Sequence, residues 1–189
     1  MPRLPDVLTS RPRVLFVGIN PSLRSQQLGH HFAGAGNPFW RLLHAAGIVP
    51  EELTYADDGK LAHYGLALTN LCPRATRTAS ELGRDEIQRG KRTVLRKIGR
   101  LRPAVVALVG ASIYRYFSVD RTGGVGPKPE SICGARVFVL PNPSGLNANF
   151  PGFKDKLVWF QRLREFAELD INQSSEEAPG AQSRREELG

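Results

Sequence analysis

Residues 13–22 read RVLFVGINPS, a short apolar run that ends in glycine and continues into an Asn-Pro-Ser segment. Three further apolar runs follow it: LALT at 66–69, AVVALVG at 104–110 and RVFVL at 136–140. Continuous apolar runs rich in β-branched residues are typical of strands whose two faces are both covered, as in a parallel sheet between helices. We therefore predict four strands of a mainly parallel sheet.

Helical patterns separate these runs. Residues 84–101 and 152–168 carry apolar side chains at steps of three or four, which predicts two long amphipathic helices. A further helix is predicted at 38–46, because Asn37 is a suitable N-cap before a proline and Gly47 is a suitable stop. Strands that alternate with helices predict an α/β sandwich.

Two segments are expected to lie outside regular structure. Residues 118–130 contain five glycines or prolines and are predicted to form a loop. Residues 171–189 carry few apolar side chains and are predicted to be a disordered tail. Residues 1–170 then form one domain, a size that a single hydrophobic core supports.

The composition also restricts the cellular setting. No apolar run approaches the roughly 18 residues of a membrane span, so no membrane association is expected. The first 13 residues contain prolines and an aspartate where a signal peptide needs an apolar stretch, which disfavours secretion. Cys72 and Cys133 are the two cysteines, and they can supply neither a disulfide framework nor a four-thiolate metal cluster. A cytoplasmic protein, associated with the nucleoid if the chain is bacterial, is the expectation.

The charge of the chain is uneven. Lysine and arginine number 26 against 18 acidic residues, a net charge of +8. Residues 74–102 alone hold ten basic and three acidic residues. A domain this basic indicates a polyanionic partner such as nucleic acid, and the alternative is a basic surface that is simply solvated.

Two loops follow strands at the edge where parallel sheets bind ligands. They are GINPS at 18–22 and PNPSGLNA at 141–148. Asn20 in the first loop could bond its own backbone in a turn, or its amide could hold a water molecule. Neither loop has the glycine pattern of a dinucleotide or phosphate-binding loop, which disfavours a nucleotide cofactor.

Three stretches together resemble a known family. They are VGINPSLRSQQLGHHFAGAGNPFW at 17–40, LTNLCPRAT at 68–76 and LPNPSGLNA at 140–148. In order and spacing they resemble signatures of the mismatch-specific uracil/thymine DNA glycosylases, a branch of the uracil-DNA glycosylase superfamily, and the resemblance spans about residues 11–168. It implies a three-layer α/β/α sandwich with a short, mainly parallel central sheet. It also implies hydrolysis of the N-glycosidic bond of a deaminated or mismatched pyrimidine in DNA, with no metal or other cofactor.

The resemblance also implies roles for single residues. Asn20 would hold the attacking water near the sugar, and Phe32 would stack on a base that has been flipped out of the duplex. The remaining pocket positions implied in this way are Ile19, Ser22, Ser25, His31, Asn70 and Asn142. Ile19 and Ser22 would offer backbone groups to the base, and Ser25 and His31 would lie beside its C5 atom.

The second loop is expected to enter the duplex. Leu146 would act as an apolar wedge that fills the gap left by the flipped nucleotide. The residues implied to contact DNA around it are Ser144, Gly145 and Asn147, and Arg74 and Arg77 are expected to face the phosphates. The expected partner is double-stranded DNA with a deaminated or mismatched base, bound by a monomer.

Two positions depart from the family pattern. Ser22 stands where the family usually has glycine, and Ala148 stands where one close branch has an arginine that reads the orphaned guanine. These departures leave base preference and dependence on an opposite guanine open. The alternatives are a glycosylase with a shifted substrate such as hypoxanthine, and a DNA-binding module that is not catalytic.

Overall fold

The computed structural model describes residues 3–118, 123–144 and 149–176, with side chains described as far as residue 168. The helices and strands, in chain order, are β1 (Val14–Gly18), α1 (Leu23–Leu28), α2 (Phe39–Ala45), β2 (Leu66–Asn70), α3 (Arg84–Leu101), β3 (Val105–Val109), α4 (Ala111–Tyr114), β4 (Gly126–Ile132), β5 (Ala135–Leu140) and α5 (Phe153–Glu176). Two 3₁₀ segments, Tyr55–Tyr64 and Ala79–Glu81, lie on either side of β2 along the chain.

The five strands form one sheet in the order β2-β1-β3-β5-β4. All neighbouring strands are parallel except β4, which runs antiparallel to β5 at the edge. The four predicted strands are confirmed. The prediction of a loop over 118–130 was wrong in its second half, because β4 begins at Gly126.

Helices cover both faces of the sheet, as predicted. On one face, α2 and α5 bury Leu42, Leu43, Phe160 and Leu163 against the strands. On the other face, α3 buries a row of residues at helical spacing: Ile87, Gly90, Val94, Ile98 and Leu101. The result is the three-layer α/β/α sandwich with a short, mainly parallel sheet.

Glycine at position 90 lets α3 approach the chain that follows β2. A Cβ atom added to Gly90 would lie 2.1 Å from the carbonyl oxygen of Leu71, so any larger residue would push the helix away. The segment after β2 is therefore held between α3 and the loop after β1. Its backbone donates hydrogen bonds from Leu71 N to Gly18 O (2.7 Å) and from Cys72 N to Ile19 O (2.8 Å).

The helix ends show small differences from the sequence expectations. Helix α2 begins at Phe39 with Pro38 as its N-cap residue, one residue later than the predicted cap at Asn37. Asn37 Oδ1 still accepts a hydrogen bond from the Phe39 N–H (3.0 Å). Helix α5 extends to Glu176, beyond the predicted end at 168 and into the segment 171–189 that was predicted to be a disordered tail. Residues 177–189 lie outside the described residues. None of the helices in the described part of the chain is long and apolar enough to cross a bilayer.

Candidate active site

A cavity of about 240 Å³ opens at the carboxyl ends of β1 and β2. The loop after β5 forms part of its wall through Asn142 and Ser144. The predicted site residues that line this cavity are Ile19, Asn20, Ser22, Ser25, His31, Phe32, Asn70, Asn142 and Ser144. Three segments far apart in sequence therefore meet where the topology of the sheet brings the strand ends together.

The amide of Asn20 is held in one orientation. Its Nδ2 donates to the carbonyl oxygen of Arg74 (2.9 Å) and to Oγ1 of Thr76 (2.7 Å). The Thr76 hydroxyl donates its own proton to the carbonyl oxygen of Thr78 (2.7 Å), so it must accept from Asn20. Both amide protons are then committed, and Oδ1 is the atom through which Asn20 can hold a water molecule.

Thr76 was not among the residues singled out from the sequence. It is 4% exposed and forms an isolated parallel bridge with Ser22, which ties the segment after β2 to the loop after β1. Sequence spacing gives no sign of this contact, because 56 residues separate Asn20 from Thr76 along the chain. The one available clue was its position within the LTNLCPRAT block.

Phe32 has a packed face and an open face. Its ring stacks on Phe39 with 3.9 Å between centroids and 21° between planes, and it also lines the cavity. The backbone at Phe32 has φ of +51°, a sparsely populated region for a bulky residue. The surrounding contacts hold the ring in this conformation, where its exposed face can meet a planar ligand.

The backbone before Phe32 is fixed by a buried carboxylate. Asp58 accepts a hydrogen bond from the His31 N–H (2.9 Å) and contacts His30 Nδ1 (3.1 Å). The indole N–H of Trp40 donates to the His31 carbonyl oxygen (3.1 Å). His30 is thus a supporting residue outside the cavity lining, whereas His31 lies in the cavity wall.

The tautomer of His31 follows from its partners. Its Nε2 lies 2.8 Å from the carbonyl oxygen of Pro5, which can only accept, so the proton is on Nε2. Its Nδ1 is then an acceptor and lies 3.5 Å from Nδ2 of Asn70. Burial lowers the pKa of His31 below its usual value, against the opposing effects of the Pro5 carbonyl and Asp58, and the ring is neutral at pH 7.

The side chain of Asn70 leaves no room for a side chain at Gly18, the last residue of β1. A Cβ atom on Gly18 would lie 2.6 Å from Asn70 Oδ1 and 3.7 Å from the Phe32 ring. The register pairs Gly18 with Asn70 in adjacent strands. The absence of a side chain at Gly18 therefore leaves room for the Asn70 amide to reach into the cavity wall.

The hydroxyl of Ser22, the residue that departs from the family pattern, caps helix α1. Ser22 Oγ accepts from the Ser25 N–H (3.1 Å) and donates to Ser25 Oγ (3.0 Å). Ser25 Oγ in turn accepts from the Ala33 N–H (3.1 Å), which connects α1 to the segment that carries Phe32. The two serines thus shape the cavity wall through one hydrogen-bonded chain.

The backbone carbonyls of the first loop are engaged within the protein. Ile19 O accepts from Cys72 N, and Ser22 O accepts from Gln26 N (3.1 Å). The N–H groups of Ile19 and Ser22 are therefore the backbone atoms that we expect to meet a base. The sequence analysis expected backbone groups of Ile19 and Ser22 to contact the base, and it did not distinguish N–H groups from carbonyl groups.

The second loop is described only in its first part. Asn142 Oδ1 accepts from the Ser144 N–H (3.0 Å), a turn that sets the direction of the loop, and the flanking Pro141 and Pro143 are buried. Gly145, Leu146, Asn147 and Ala148 lie outside the described residues. The wedge role of Leu146 and the DNA contacts of its neighbours stay predictions.

A second, outer cavity of about 450 Å³ adjoins the first. The two share Ile19, Asn20, Pro21, Ser22, Asn142 and Ser144 as lining residues. Arg77 and Ser112 line the second cavity but not the first. Asn20 therefore lies at the boundary between an inner pocket and an open groove that carries a basic side chain.

The other arginine expected to face DNA is already paired. Arg74 makes two hydrogen bonds with the Glu86 carboxylate (3.0 and 2.9 Å) and a third with the carbonyl oxygen of Glu81 (2.8 Å). This bidentate pair lowers the pKa of Glu86. Arg74 thereby fixes the backbone whose carbonyl oxygen holds Asn20, whereas a phosphate contact by Arg74 stays a prediction.

The described residues offer no cluster for a metal ion. No group of three or more His, Cys, Asp or Glu side chains in that part of the chain is placed to hold one. Cys72 is buried and Cys133 is exposed, and neither forms a disulfide. Burial raises the pKa of Cys72 to about 11, so it is a neutral thiol in the core.

Comparisons with known proteins agree with this geometry. A model of the uracil DNA glycosylase superfamily matches residues 5–164. The G/U mismatch-specific uracil DNA glycosylase of Schizosaccharomyces pombe is 33% identical over 166 residues, which make up 82% of this chain and 51% of the relative. The chain thus spans about half the length of this curated relative.

The fold also matches a solved structure. The solution NMR structure of a Methanosarcina acetivorans protein, provisionally described as a uracil DNA glycosylase, superposes with a TM-score of 0.60 at 23% identity. The match covers 86% of this chain and 97% of that one. Because the family model covers most of the sequence and the blocks that carry the resemblance line one cavity, the chain belongs to the uracil DNA glycosylase superfamily.

Proposed function

We propose that this chain is a monofunctional DNA glycosylase that flips uracil out of DNA and excises it by hydrolysis, acting best on uracil opposite guanine. Thymine and etheno-cytosine opposite guanine are further candidate substrates. The observation that carries the proposal is the fixed amide of Asn20 in the wall of the 240 Å³ cavity. Family membership and the activity named for the yeast relative support it.

The proposed reaction needs a positioned water and a departing base. The bond between C1′ of the sugar and N1 of the base breaks, and its electron pair goes to the base. The water oxygen bonds to C1′, and the surplus water proton passes to the solvent, from which the departed base anion is protonated. Asn20 Oδ1 accepts a hydrogen bond from that water and orients it. Because an amide is not a strong general base, we expect slow chemistry driven mainly by departure of the base.

The inner cavity suits a planar base with polar edges. Phe32 offers a ring face on one side, since its other face is occupied by Phe39. Asn70 and the backbone N–H groups of Ile19 and Ser22 offer hydrogen bonds at the edges. Donors aimed at a leaving base stabilise the negative charge that develops on it, and this effect is strongest in a site from which water is excluded.

The outer groove is where we place the DNA backbone. Arg77 and Asn20 both line it, and so does Pro141 at the start of the second loop. The net charge of +8 favours binding of the duplex with little dependence on sequence. We propose action on double-stranded DNA as a monomer, without a cofactor, in the cytoplasm and in association with the nucleoid if the chain is bacterial.

A cleavage assay on a panel of substrates tests this function. Labelled duplexes carrying U·G, T·G, U·A, etheno-C·G and hypoxanthine·T, together with single-stranded uracil DNA, are incubated with protein and then cut at abasic sites with alkali. We expect U·G to be cleaved fastest. If hypoxanthine·T is cleaved faster than U·G, the protein is a glycosylase with a shifted substrate. If the protein binds the duplexes but cleaves none of them, the proposal that it is an enzyme is refuted.

A further inference from the structure

The residues at the start of the described chain cover the free edge of the sheet. Strand β2 is an edge strand, and Val7 pairs with Leu68 in it by an antiparallel bridge with hydrogen bonds of 2.9 and 2.7 Å. We call residues 4–7 the N-terminal strap. Pairing of this kind protects an edge strand, but the strap also contacts the site.

The strap is fastened to two elements by its aspartate. Asp6 accepts a hydrogen bond from the Thr69 hydroxyl (2.7 Å) and pairs with Lys97 Nζ (2.5 Å). Lys97 Nζ also lies 2.9 Å from Thr69 Oγ1. Thr69 is fully buried, and both charged side chains are about one-fifth exposed (22% for Lys97 and 21% for Asp6). Asp6 therefore ties the strap to β2 and to α3. Asp6 is two residues from Leu4 in the sequence, and Thr69 is next to Asn70; both Leu4 and Asn70 line the 240 Å³ cavity.

Two consecutive strap residues reach the cavity wall. The carbonyl oxygen of Pro5 accepts the proton of His31 Nε2 and so fixes Nδ1 of His31 as an acceptor toward Asn70. Leu4 lines the 240 Å³ cavity and also lines a neighbouring cavity of about 660 Å³. The two cavities share Leu4, Pro21 and Asn70, and Leu4 is the only apolar side chain of the strap in either lining.

We infer that Leu4 is a specificity-determining residue of the base pocket, forming together with Pro21 the apolar part of the wall that separates it from the neighbouring cavity. This inference rests on the proposed function for the identity of the base. Removal of the Leu4 side chain would join the two cavities. A uracil would then lose part of its packing, and a base with an extra ring would gain room.

Leu4→Ala tests the inference in cleavage and in binding. In single-turnover assays, we expect the ratio of the etheno-C·G rate to the U·G rate to rise at least threefold over the parent. We also expect the affinity for free uracil to fall at least threefold, measured by titration into ¹⁵N-labelled protein and followed at the His31 imidazole and the Trp40 indole N–H. Binding of the free base needs no cleavage, so this second readout stands even if the parent cleaves nothing.

Two further variants test whether Leu4 acts as a wall of the cavity or only stabilises the fold. Leu8→Ala removes the same atoms from a half-buried leucine of the same segment that lines neither cavity, and should match the parent in both readouts. Leu4→Met conserves volume and should restore parental values. Melting temperatures verify that each variant is folded. If Leu4→Ala is not folded, Leu4→Val, compared with Leu8→Val, carries the test.

The outcomes distinguish the two proposals. A parent that cleaves U·G, together with a Leu4→Ala protein whose rate ratio and uracil affinity equal those of Leu8→Ala, overturns the inference and leaves the function standing. If the parent cleaves no substrate, the proposed function is overturned. If, in the same experiment, Leu4→Ala binds uracil more weakly than both the parent and Leu8→Ala, the inference about the wall is supported. If Leu4→Ala does not fold, Leu4→Val replaces it and Leu8→Val becomes its control. A higher rate ratio or weaker uracil binding in Leu4→Val alone supports the wall, and equal values in the two valine variants overturn it.

Discussion

At the scale of single residues, the site depends on side chains that hold other side chains. Asn20 has its amide fixed by Thr76, and Thr76 is fixed by the carbonyl oxygen of Thr78. The motif around Asn20 could be found in the sequence, because its glycine and proline directly follow a strand. The roles of Thr76 and Asp58 could not be found there, since their contacts form only when the chain folds, although Thr76 lies in the LTNLCPRAT block.

Thr76→Val should impair catalysis by releasing the Asn20 amide. Valine has the shape of threonine but lacks the hydroxyl, so one amide proton of Asn20 loses its acceptor. We expect the single-turnover rate on U·G to fall about tenfold, equivalent to about 1.4 kcal/mol of transition-state stabilisation. Thr76→Ser keeps the hydroxyl and should stay within threefold of the parent. Equal rates for the valine and serine variants would show that Thr76 does not position Asn20.

His31 should make the stability of the protein fall at acid pH. Burial lowers its pKa in the folded state, so below pH 6.5 the unfolded chain binds a proton that the folded protein excludes. The unfolded state then holds more protons, and the free energy of unfolding decreases as the pH falls, by at most about 1.4 kcal/mol per pH unit for one group. Above pH 6.5 this contribution is fully present.

Urea unfolding of the parent and of His31→Gln between pH 7.5 and 5.5 measures this effect. The glutamine amide can still donate a proton to the Pro5 carbonyl oxygen, but it has no group that titrates in this range, so the stability of the variant should change less with pH. His44→Gln, at an exposed position in α2, is the matched control and should keep the parental slope. The same slope in the parent and in His31→Gln would contradict a buried neutral imidazole.

At the scale of elements, the four buried strands were predictable and the fifth was not. Strand β4 contains Gly126, Pro127 and Pro129, which read as a loop, but an edge strand tolerates proline because one side of its backbone has no partner. Helix α1 was also missed, since its six residues are too few for a clear period. Both elements depend on tertiary contacts that local sequence does not report.

The loop after β5 gives a prediction at this scale. Leu146 is proposed to act while the base flips, a step that costs a few kcal/mol of unstacking and unpairing. Leu146→Ala should therefore lower the cleavage rate of U·A more than that of U·G, and affect single-stranded uracil DNA least. The rate series on these three substrates is the measurement. An equal fold-loss on all three would mean that Leu146 supports the pocket itself.

At the scale of the whole molecule, the expected chemistry is independent of metals. The sequence has two cysteines, and the described residues hold no cluster of metal-ligating side chains. We expect U·G cleavage to be unchanged within error after dialysis against EDTA, whereas raising the salt concentration should weaken DNA binding steeply. Loss of cleavage in EDTA that returns with a divalent ion would contradict the metal-free assignment.

Under the proposed function, the basic residues and the inner cavity should contribute separately. Phosphate contacts would then govern affinity for the duplex, and the cavity would govern the rate of bond breaking. A variant confined to the cavity should therefore lose rate and keep affinity. This separation follows from the position of Asn20 between the inner pocket and the outer groove.

The most direct measurement is single-turnover cleavage of U·G by Asn20→Ala, with duplex affinity measured in parallel. Loss of one contact that acts in the transition state typically costs about 2.7–4 kcal/mol, so we expect the rate to fall by roughly 10² or more and the affinity to stay within threefold. Gln161→Ala, which removes an exposed amide from α5, should cleave at the parental rate. Cleavage by Asn20→Ala at the parental rate would contradict the assignment of this cavity as the site of base excision.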